Sequence, residues 1–262
     1  MPPNSGIACT PRARRGRLET QEGRAGHGGA SFEAFFVRIR IEASPASPTM
    51  PRMARRWKID RDAPEPEALA AAKATLAGGG LVIVPTETVY GVACDPSVHG
   101  AMEKLRAAKG RDAGKPVALL IAEAAQAERA ALDPSAGFRA LAARWWPGPL
   151  TIVLDTPEGA TGFRVPDHPV ALALARLYGR PLALTSANPS GGPDPRTARE
   201  AIAGIPSAEW VLDAGPASAD ALPSTVVRLA DGRIECLREG AIPFAEVERV
   251  FRAGNAPAPT ER

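Results

Sequence analysis

Hydroxyl, carboxyl and phenol side chains follow an apolar run at one point in the sequence, where they could bind a polar ligand. The run is Leu81–Val84, and the next seven residues include Thr86, Glu87, Thr88 and Tyr90. A continuous apolar run of this kind is typical of a central strand that is covered on both faces. Because open α/β sheets bind their ligands at the carboxyl ends of strands, we expect a site in this segment.

A second candidate site is a basic loop between a predicted helix, 100–109, and a predicted strand, 117–121. The loop contains two glycines together with Lys109, Arg111 and Lys115. Basic residues are favoured at the carboxyl end of a helix, so a solvated helix end is one interpretation. Binding of an anionic ligand such as a phosphate is the other.

Two arginines are further candidates for binding an anion. Arg164 stands between the apolar Phe163 and Val165, so its side chain points to the opposite face of an extended chain. A guanidinium can grip a carboxylate through two parallel hydrogen bonds, while an exposed strand arginine is the alternative interpretation. Arg238, at the end of a predicted strand, 233–238, has the same two interpretations.

Taken together, seven short blocks of this sequence resemble the threonylcarbamoyl-AMP synthase family, the YrdC-like proteins. They occur in the family's order and with family-like spacing over about Asp60–Gly240. Each block alone is a weak motif, whereas seven in register indicate a common family. The blocks are Leu81–Gly91, Lys109–Arg111, Trp146–Pro149, Phe163–Pro166, Ser186–Asn188, Ser224–Thr225 and Leu237–Gly240.

The resemblance implies a nucleotidyltransferase that combines L-threonine, bicarbonate and ATP to give threonylcarbamoyl-adenylate and pyrophosphate, for the N6-threonylcarbamoyladenosine (t6A) modification of tRNA. The amine takes up CO2 or bicarbonate, and the carbamate oxygen then attacks the α-phosphorus. Because the participants are anionic, cationic side chains must gather and align them. ATP is expected as a substrate accompanied by Mg²⁺, and no protein-bound metal site is expected, since none of the three histidines is spaced with a second ligand.

The resemblance also assigns roles to individual residues. Electrostatic alignment falls to Lys109, Arg111 and Arg164. Threonine binding falls to Thr88, Arg164, Leu184 and Ser224. ATP binding falls to Arg111, Lys115, Ser186, Asp194 and Arg238. Three positions depart from the pattern, because relatives carry a histidine at Leu120, a threonine at Ala160 and an ATP-contacting serine at Asp194. Leucine cannot supply the histidine's hydrogen bond, so we expect a differently built threonine pocket.

Composition separates the chain into a basic beginning and a slightly acidic remainder. The net charge is +3 with a pI of about 9.0. Residues 1–58 hold ten Arg and one Lys against four Glu, so global charge says little about what the folded part binds. Three distant cysteines argue against a disulfide framework and suit a reducing cytosol, which predicts a cytoplasmic protein. No apolar run has the length of a membrane span, so no membrane partner is expected.

Three regions are predicted along the chain. Residues 1–58 mix Pro, Gly, Ser and Arg and are expected to be a disordered or mis-assigned N-terminal extension, with an organelle presequence as the alternative. Residues 59–251 form the YrdC-like catalytic domain, and 252–262 a disordered C-terminal tail. We therefore expect the single-domain form of the family.

Within the catalytic region, helical periodicity alternates with short β-rich runs. Predicted helices are 65–77, 100–109, 135–145, 168–178, 197–203 and 244–251. Predicted strands are 81–85, 117–121, 150–154, 182–185, 210–213, 225–229 and 233–238. This alternation predicts an α/β fold, and the resemblance implies a twisted open mixed sheet with flanking helices and a concave basic cleft.

Two other functions are compatible with the sequence. A concave α/β face with several basic residues could bind tRNA or double-stranded RNA through its phosphates. A paralogue could keep the fold without this synthase activity. If the protein is a synthase, its partners are threonine, bicarbonate, ATP and the downstream t6A-modification proteins. Pyrophosphate release that depends on threonine and bicarbonate would distinguish the synthase from the other two functions.

Overall fold

The computed structural model describes residues 54–110, 116–218 and 220–256, which form ten strands and seven helices. In chain order these are β1 Arg55–Lys58, α1 Pro66–Ala77, β2 Val82–Val84, β3 Gly91–Cys94, α2 Ala101–Lys109, β4 Ala118–Leu120, α3 Ala124–Ala130, α4 Ala136–Trp145, β5 Leu150–Thr156, β6 Gly159–Arg164, α5 Pro169–Tyr178, β7 Leu182–Ser186, α6 Ala198–Gly204, β8 Trp210–Asp213, β9 Thr225–Ala230, β10 Arg233–Arg238 and α7 Phe244–Gly254. No helix among these residues is long and apolar enough to cross a membrane.

All ten strands join one mixed sheet in the order β1-β8-β2-β3-β7-β4-β6-β5-β9-β10. The β1/β8, β2/β8, β4/β6 and β5/β9 pairs are parallel, and the other five are antiparallel. Helices pack against this sheet, as the clusters of buried residues show. The predicted α/β class with a mixed open sheet is confirmed.

The two halves of the sheet are covered differently. In β2, Val82 and Val84 pack with α1 and α5, while Ile83 packs on the other face with α2 and α6. The predicted central strand covered on both faces is therefore confirmed. In β5, Ile152 and Leu154 pack against α4 and α7. The opposite face of that half of the sheet remains available for a ligand.

Four elements were missed by the sequence analysis, namely β1, β3, α3 and β6. β6 has the sequence GATGFR, whose two glycines disfavour a strand, and five paired residues of β5 hold it in the sheet. β1 lies within the segment 1–58 that was assigned to an extension. It pairs with β8, and Trp57 packs against Trp210 with ring centroids 5.6 Å apart. At the other end α7 extends to Gly254, into the predicted tail.

His168 caps the start of α5, and its environment leads us to expect that the free energy of unfolding depends on pH. Its Nδ1 accepts a 3.3 Å hydrogen bond from the Val170 amide. Burial lowers the pKa of this imidazole to about 4, an effect that Arg61 reinforces and that Glu87 and Asp62 oppose. The unfolded chain binds a proton near pH 6.5, so the stabilisation is complete above that pH and is lost as the pH falls towards 4, by about 1 kcal/mol per pH unit.

Replacing His168 with asparagine, which is also a good helix cap, should remove that dependence. We expect the melting temperature of the wild type to fall more steeply than that of His168→Asn between pH 7 and 4.5. If the melting temperatures of the two proteins fall by the same amount between pH 7 and 4.5, the histidine does not titrate as argued.

Candidate functional site

A cavity of about 560 Å³ lies on the face of the sheet opposite α4 and α7. Residues of β3, β4, β5, β6, β7, β9 and β10 and their loops line it. It brings together almost every described residue that the sequence analysis assigned to a substrate: Thr88, Arg164, Leu184, Ser186, Asp194, Ser224 and Arg238. The two departures Leu120 and Ala160 line the same cavity. Residues far apart in the sequence thus form a single site.

Arg164 is the most firmly held cation of this site. Its side chain is 11% exposed and forms an ion pair with Glu87, with 2.7 Å between Nη2 and Oε1. Nη2 also donates to Thr88 Oγ1 at 3.1 Å, and Nε donates to the Gly148 carbonyl at 3.2 Å. No residue in the described part of the chain accepts from Nη1, so a ligand anion can approach that nitrogen. Both N–H groups of Nη2 are already donated to Glu87 and Thr88. A carboxylate can therefore bind Nη1 and Nη2 together only if one of these two hydrogen bonds breaks.

Thr88 lies beneath this arginine, in the turn between β2 and β3. It is 3% exposed and shares a 2.9 Å hydrogen bond with Thr86 Oγ1. Thr86 Oγ1 donates to the Val89 carbonyl at 2.6 Å, so Thr88 must supply the proton of the bond between the two hydroxyls. Thr88 already accepts from Arg164 and has one lone pair left for a ligand.

Leu120 stands beside Arg164 on the neighbouring parallel strand, β4. The predicted departure therefore lies in the wall of the cavity, close to Arg164. Leu120 is 1% exposed, and its chemistry allows only apolar contact.

Arg238 and Ser224 form another part of the cavity wall. The guanidinium donates from Nε and Nη2 to the Ser224 carbonyl at 3.1 and 2.8 Å, and from Nη2 to Ser224 Oγ at 3.0 Å. Burial lowers the pKa of Arg238, Asp194 raises it, and the positive charge of Arg164 lowers it. These influences show that the two arginines and the carboxylate share one electrostatic environment.

Lys109, which the sequence assigned to electrostatic alignment, lies next to the end of β7. It is 3% exposed and lies behind the loop after β7, outside the cavity wall. Its Nζ donates to the Ser186 carbonyl, to the Asn188 carbonyl at 2.7 Å and to Asn188 Oδ1 at 3.3 Å. Ser186 Oγ in turn donates to Asn188 Oδ1 at 2.6 Å. Because burial of an ammonium requires such partners, these hydrogen bonds hold Lys109 to this loop, and its role in aligning substrates stays a prediction.

Arg111 and Lys115 lie outside the described residues, and their roles stay predictions. In the ranges 54–110, 116–218 and 220–256, no group of three or more His, Cys, Asp or Glu side chains is placed to hold a metal ion. Glu87 was recognised in the first motif but given no role. Its partner Arg164 is 77 residues away, so local sequence carried no signal for the pair.

Residues 74–240 match the Sua5/YciO/YrdC family model, whose description is "Telomere recombination". The chain belongs to this family. Two curated members named threonylcarbamoyl-AMP synthase are similar to it. That of Pyrococcus abyssi is 37% identical over 184 residues, and that of Bacillus subtilis 35% over 219 residues. The matches cover 66% and 75% of this chain, and the chain spans only 54% and 61% of those relatives.

A solved structure of another family member gives the same fold. The crystal structure of P. abyssi Sua5 complexed with L-threonine is similar with a TM-score of 0.67 and 33% identity. The match covers 76% of this chain and 60% of that structure. The sequence-based assignment to the YrdC-like proteins is confirmed, and the described region corresponds to part of the longer Sua5 proteins.

Proposed function

We propose that this protein is an L-threonylcarbamoyladenylate synthase that uses L-threonine, bicarbonate and ATP. The observation that carries the proposal is the convergence of the assigned threonine and ATP residues on one cavity around the partly buried Arg164. The names of the relatives and the threonine complex of Sua5 support it. The cavity volume of about 560 Å³ is in the range of small-molecule sites.

Arg164 would hold the carboxylate of threonine, with Thr88 accepting from the amine. The neutral amine adds to CO2 and releases a proton, or condenses with bicarbonate and releases water, to give a carbamate. A carbamate oxygen then attacks the α-phosphorus of ATP, and pyrophosphate leaves. This chemistry needs alignment and charge stabilisation rather than a protein nucleophile. The site fits that need, since the charged and hydroxyl side chains that line its described part are those of Thr and Ser residues, three arginines, Arg164, Arg228 and Arg238, and one carboxylate at Asp194.

ATP would lie towards Ser186, Asp194 and Arg238 and enter as its magnesium complex. Arg111 and Lys115 would add positive charge near the phosphates, making the cleft basic. Asp194 replaces the serine of a relative, and its negative charge raises the pKa of Arg238. The proposed location is the cytoplasm, and the described Cys94 and Cys236 are free thiols.

Pyrophosphate release tests this function directly. The purified protein should release pyrophosphate from ATP only when threonine and bicarbonate are both present, with serine and valine as amino-acid controls. Pyrophosphate release that does not depend on threonine would contradict the proposal and favour a paralogue with another activity. Tight tRNA binding without any release would instead favour the RNA-binding alternative.

A further inference from the structure

Two hydroxyl groups in the cavity wall form a pair that includes a residue without an assigned role. Thr151 belongs to β5, and its Oγ1 lies 3.0 Å from Oγ of Ser224. Both residues are buried, with 5% and 4% exposure, and both line the cavity. Ser224 Oγ also accepts a hydrogen bond from Arg238.

The protons of this pair can be counted. Two hydroxyls carry two protons, and one of these forms the bond between Thr151 and Ser224. Arginine has only donors, so Arg238 takes neither proton. No other acceptor for Thr151 Oγ1 or Ser224 Oγ is found among the described residues. One hydroxyl proton therefore remains to be donated to a ligand in the cavity.

The part of the wall at Thr88 has the reverse hydrogen-bonding capacity. Thr88 spends its proton on Thr86, so it can only accept from a ligand. One side of the site thus accepts hydrogen bonds, and the side at Thr151 and Ser224 donates one. A ligand that satisfies both needs a donor group and an acceptor group at a fixed separation.

The sheet register places Thr151 beside Arg164. β5 and β6 are antiparallel with Ile152 paired to Phe163, and continuing this register sets Thr151 opposite Arg164. Residues opposite each other in antiparallel strands point to the same face, with Cα atoms about 4.5–5.5 Å apart. An amino acid whose carboxylate binds Arg164 therefore has its remaining atoms within reach of Thr151.

We propose that Thr151 is a further specificity-determining residue, which together with Ser224 binds the side-chain hydroxyl of the amino-acid substrate. This inference rests on the proposed function. Of the three polar groups of threonine, the carboxylate suits Arg164 and the amine suits the accepting Thr88. The hydroxyl both donates and accepts, which matches the Thr151–Ser224 pair. An amino acid without the hydroxyl would leave a buried donor unpaired.

The test compares Thr151→Val, which keeps the shape and removes the hydroxyl, with Thr151→Ser, which keeps the hydroxyl. Michaelis constants are measured at saturating ATP and bicarbonate for threonine and for 2-aminobutyrate, which has the same carbon skeleton without the hydroxyl. We expect Thr151→Val to raise the KM for threonine about tenfold or more. The KM for ATP should not change, and the preference for threonine over 2-aminobutyrate should shrink. Thr151→Ser should resemble the wild type.

Three results would overturn the inference: an unchanged threonine KM in Thr151→Val, an equal loss for both amino acids, or a serine variant as impaired as the valine variant. Melting temperatures identify a folding defect, in which case Thr151→Ala against Thr151→Ser gives the same comparison. A wild type that releases no pyrophosphate with threonine overturns the proposed function as well. An active Thr151→Val enzyme with unaltered selectivity overturns only the role of Thr151.

Discussion

Replacing Arg164 with lysine should raise the KM for threonine about tenfold to a hundredfold and leave the KM for ATP nearly unchanged. The guanidinium donates from Nη2 to Glu87 and Thr88 and from Nε to Gly148, and it still has Nη1 for a carboxylate. One ammonium carries three donors on a single atom and cannot reach all of these acceptors. A charge-assisted hydrogen bond contributes about 1.5–3 kcal/mol, which corresponds to the expected change.

The matched control is Arg139→Lys, because Arg139 also pairs with a glutamate, Glu128, but is 57% exposed and outside the cavity. It should leave both Michaelis constants unchanged. Threonine titrations at saturating ATP measure the effect. A threonine KM in Arg164→Lys equal to that of the wild type would remove Arg164 from the carboxylate site. Equal increases in the KM for threonine and the KM for ATP would indicate that the substitution distorts the whole site.

Much of the fold could be predicted because its central elements carry their own local signals. β2 is an uninterrupted apolar run, and the helices α1 and α5 begin with prolines near their first turns. β3 and β6 could not be predicted in the same way. Each contains glycine, and each depends on one strand that is near in the sequence and one that is far away: β3 pairs with β2 and β7, and β6 pairs with β5 and β4.

In the site, too, some residues could be identified from local sequence motifs, and others depend on contacts between distant parts of the sequence. Thr88, Ser186 and Ser224 could be found because each lies in a motif whose spacing survives in this chain. Burial of Lys109 could not be predicted, since its acceptors come from a loop 77 and 79 residues away. The pairing of Thr151 with Ser224 likewise depends on the register of β5 against β9, which places the two residues side by side.

Gly240→Ala should have the second large effect, although this residue contacts no substrate in the proposed mechanism. A Cβ at this position would lie 2.2 Å from the Pro223 carbonyl oxygen and 2.7 Å from the carbonyl carbon of Ser224. These are backbone atoms that cannot rotate away, so the segment around Ser224 must move. The same segment is held by hydrogen bonds from the Gly240 amide to Thr225 Oγ1 at 3.0 Å and from the Ala241 amide to Pro223 at 2.9 Å.

We expect Gly240→Ala to lose about 1–3 kcal/mol of stability from the clash and to lower kcat/KM by roughly a hundredfold, because a shift of about 1 Å in Ser224 misplaces the threonine. Gly78→Ala is the control, since a Cβ there meets its nearest atoms at 3.5 Å and the position is remote from the cavity. Thermal denaturation and threonine-dependent pyrophosphate release measure the two effects. A Gly240→Ala protein with wild-type kcat/KM would show that the loop at Ser224 does not have to hold this position for threonine to react.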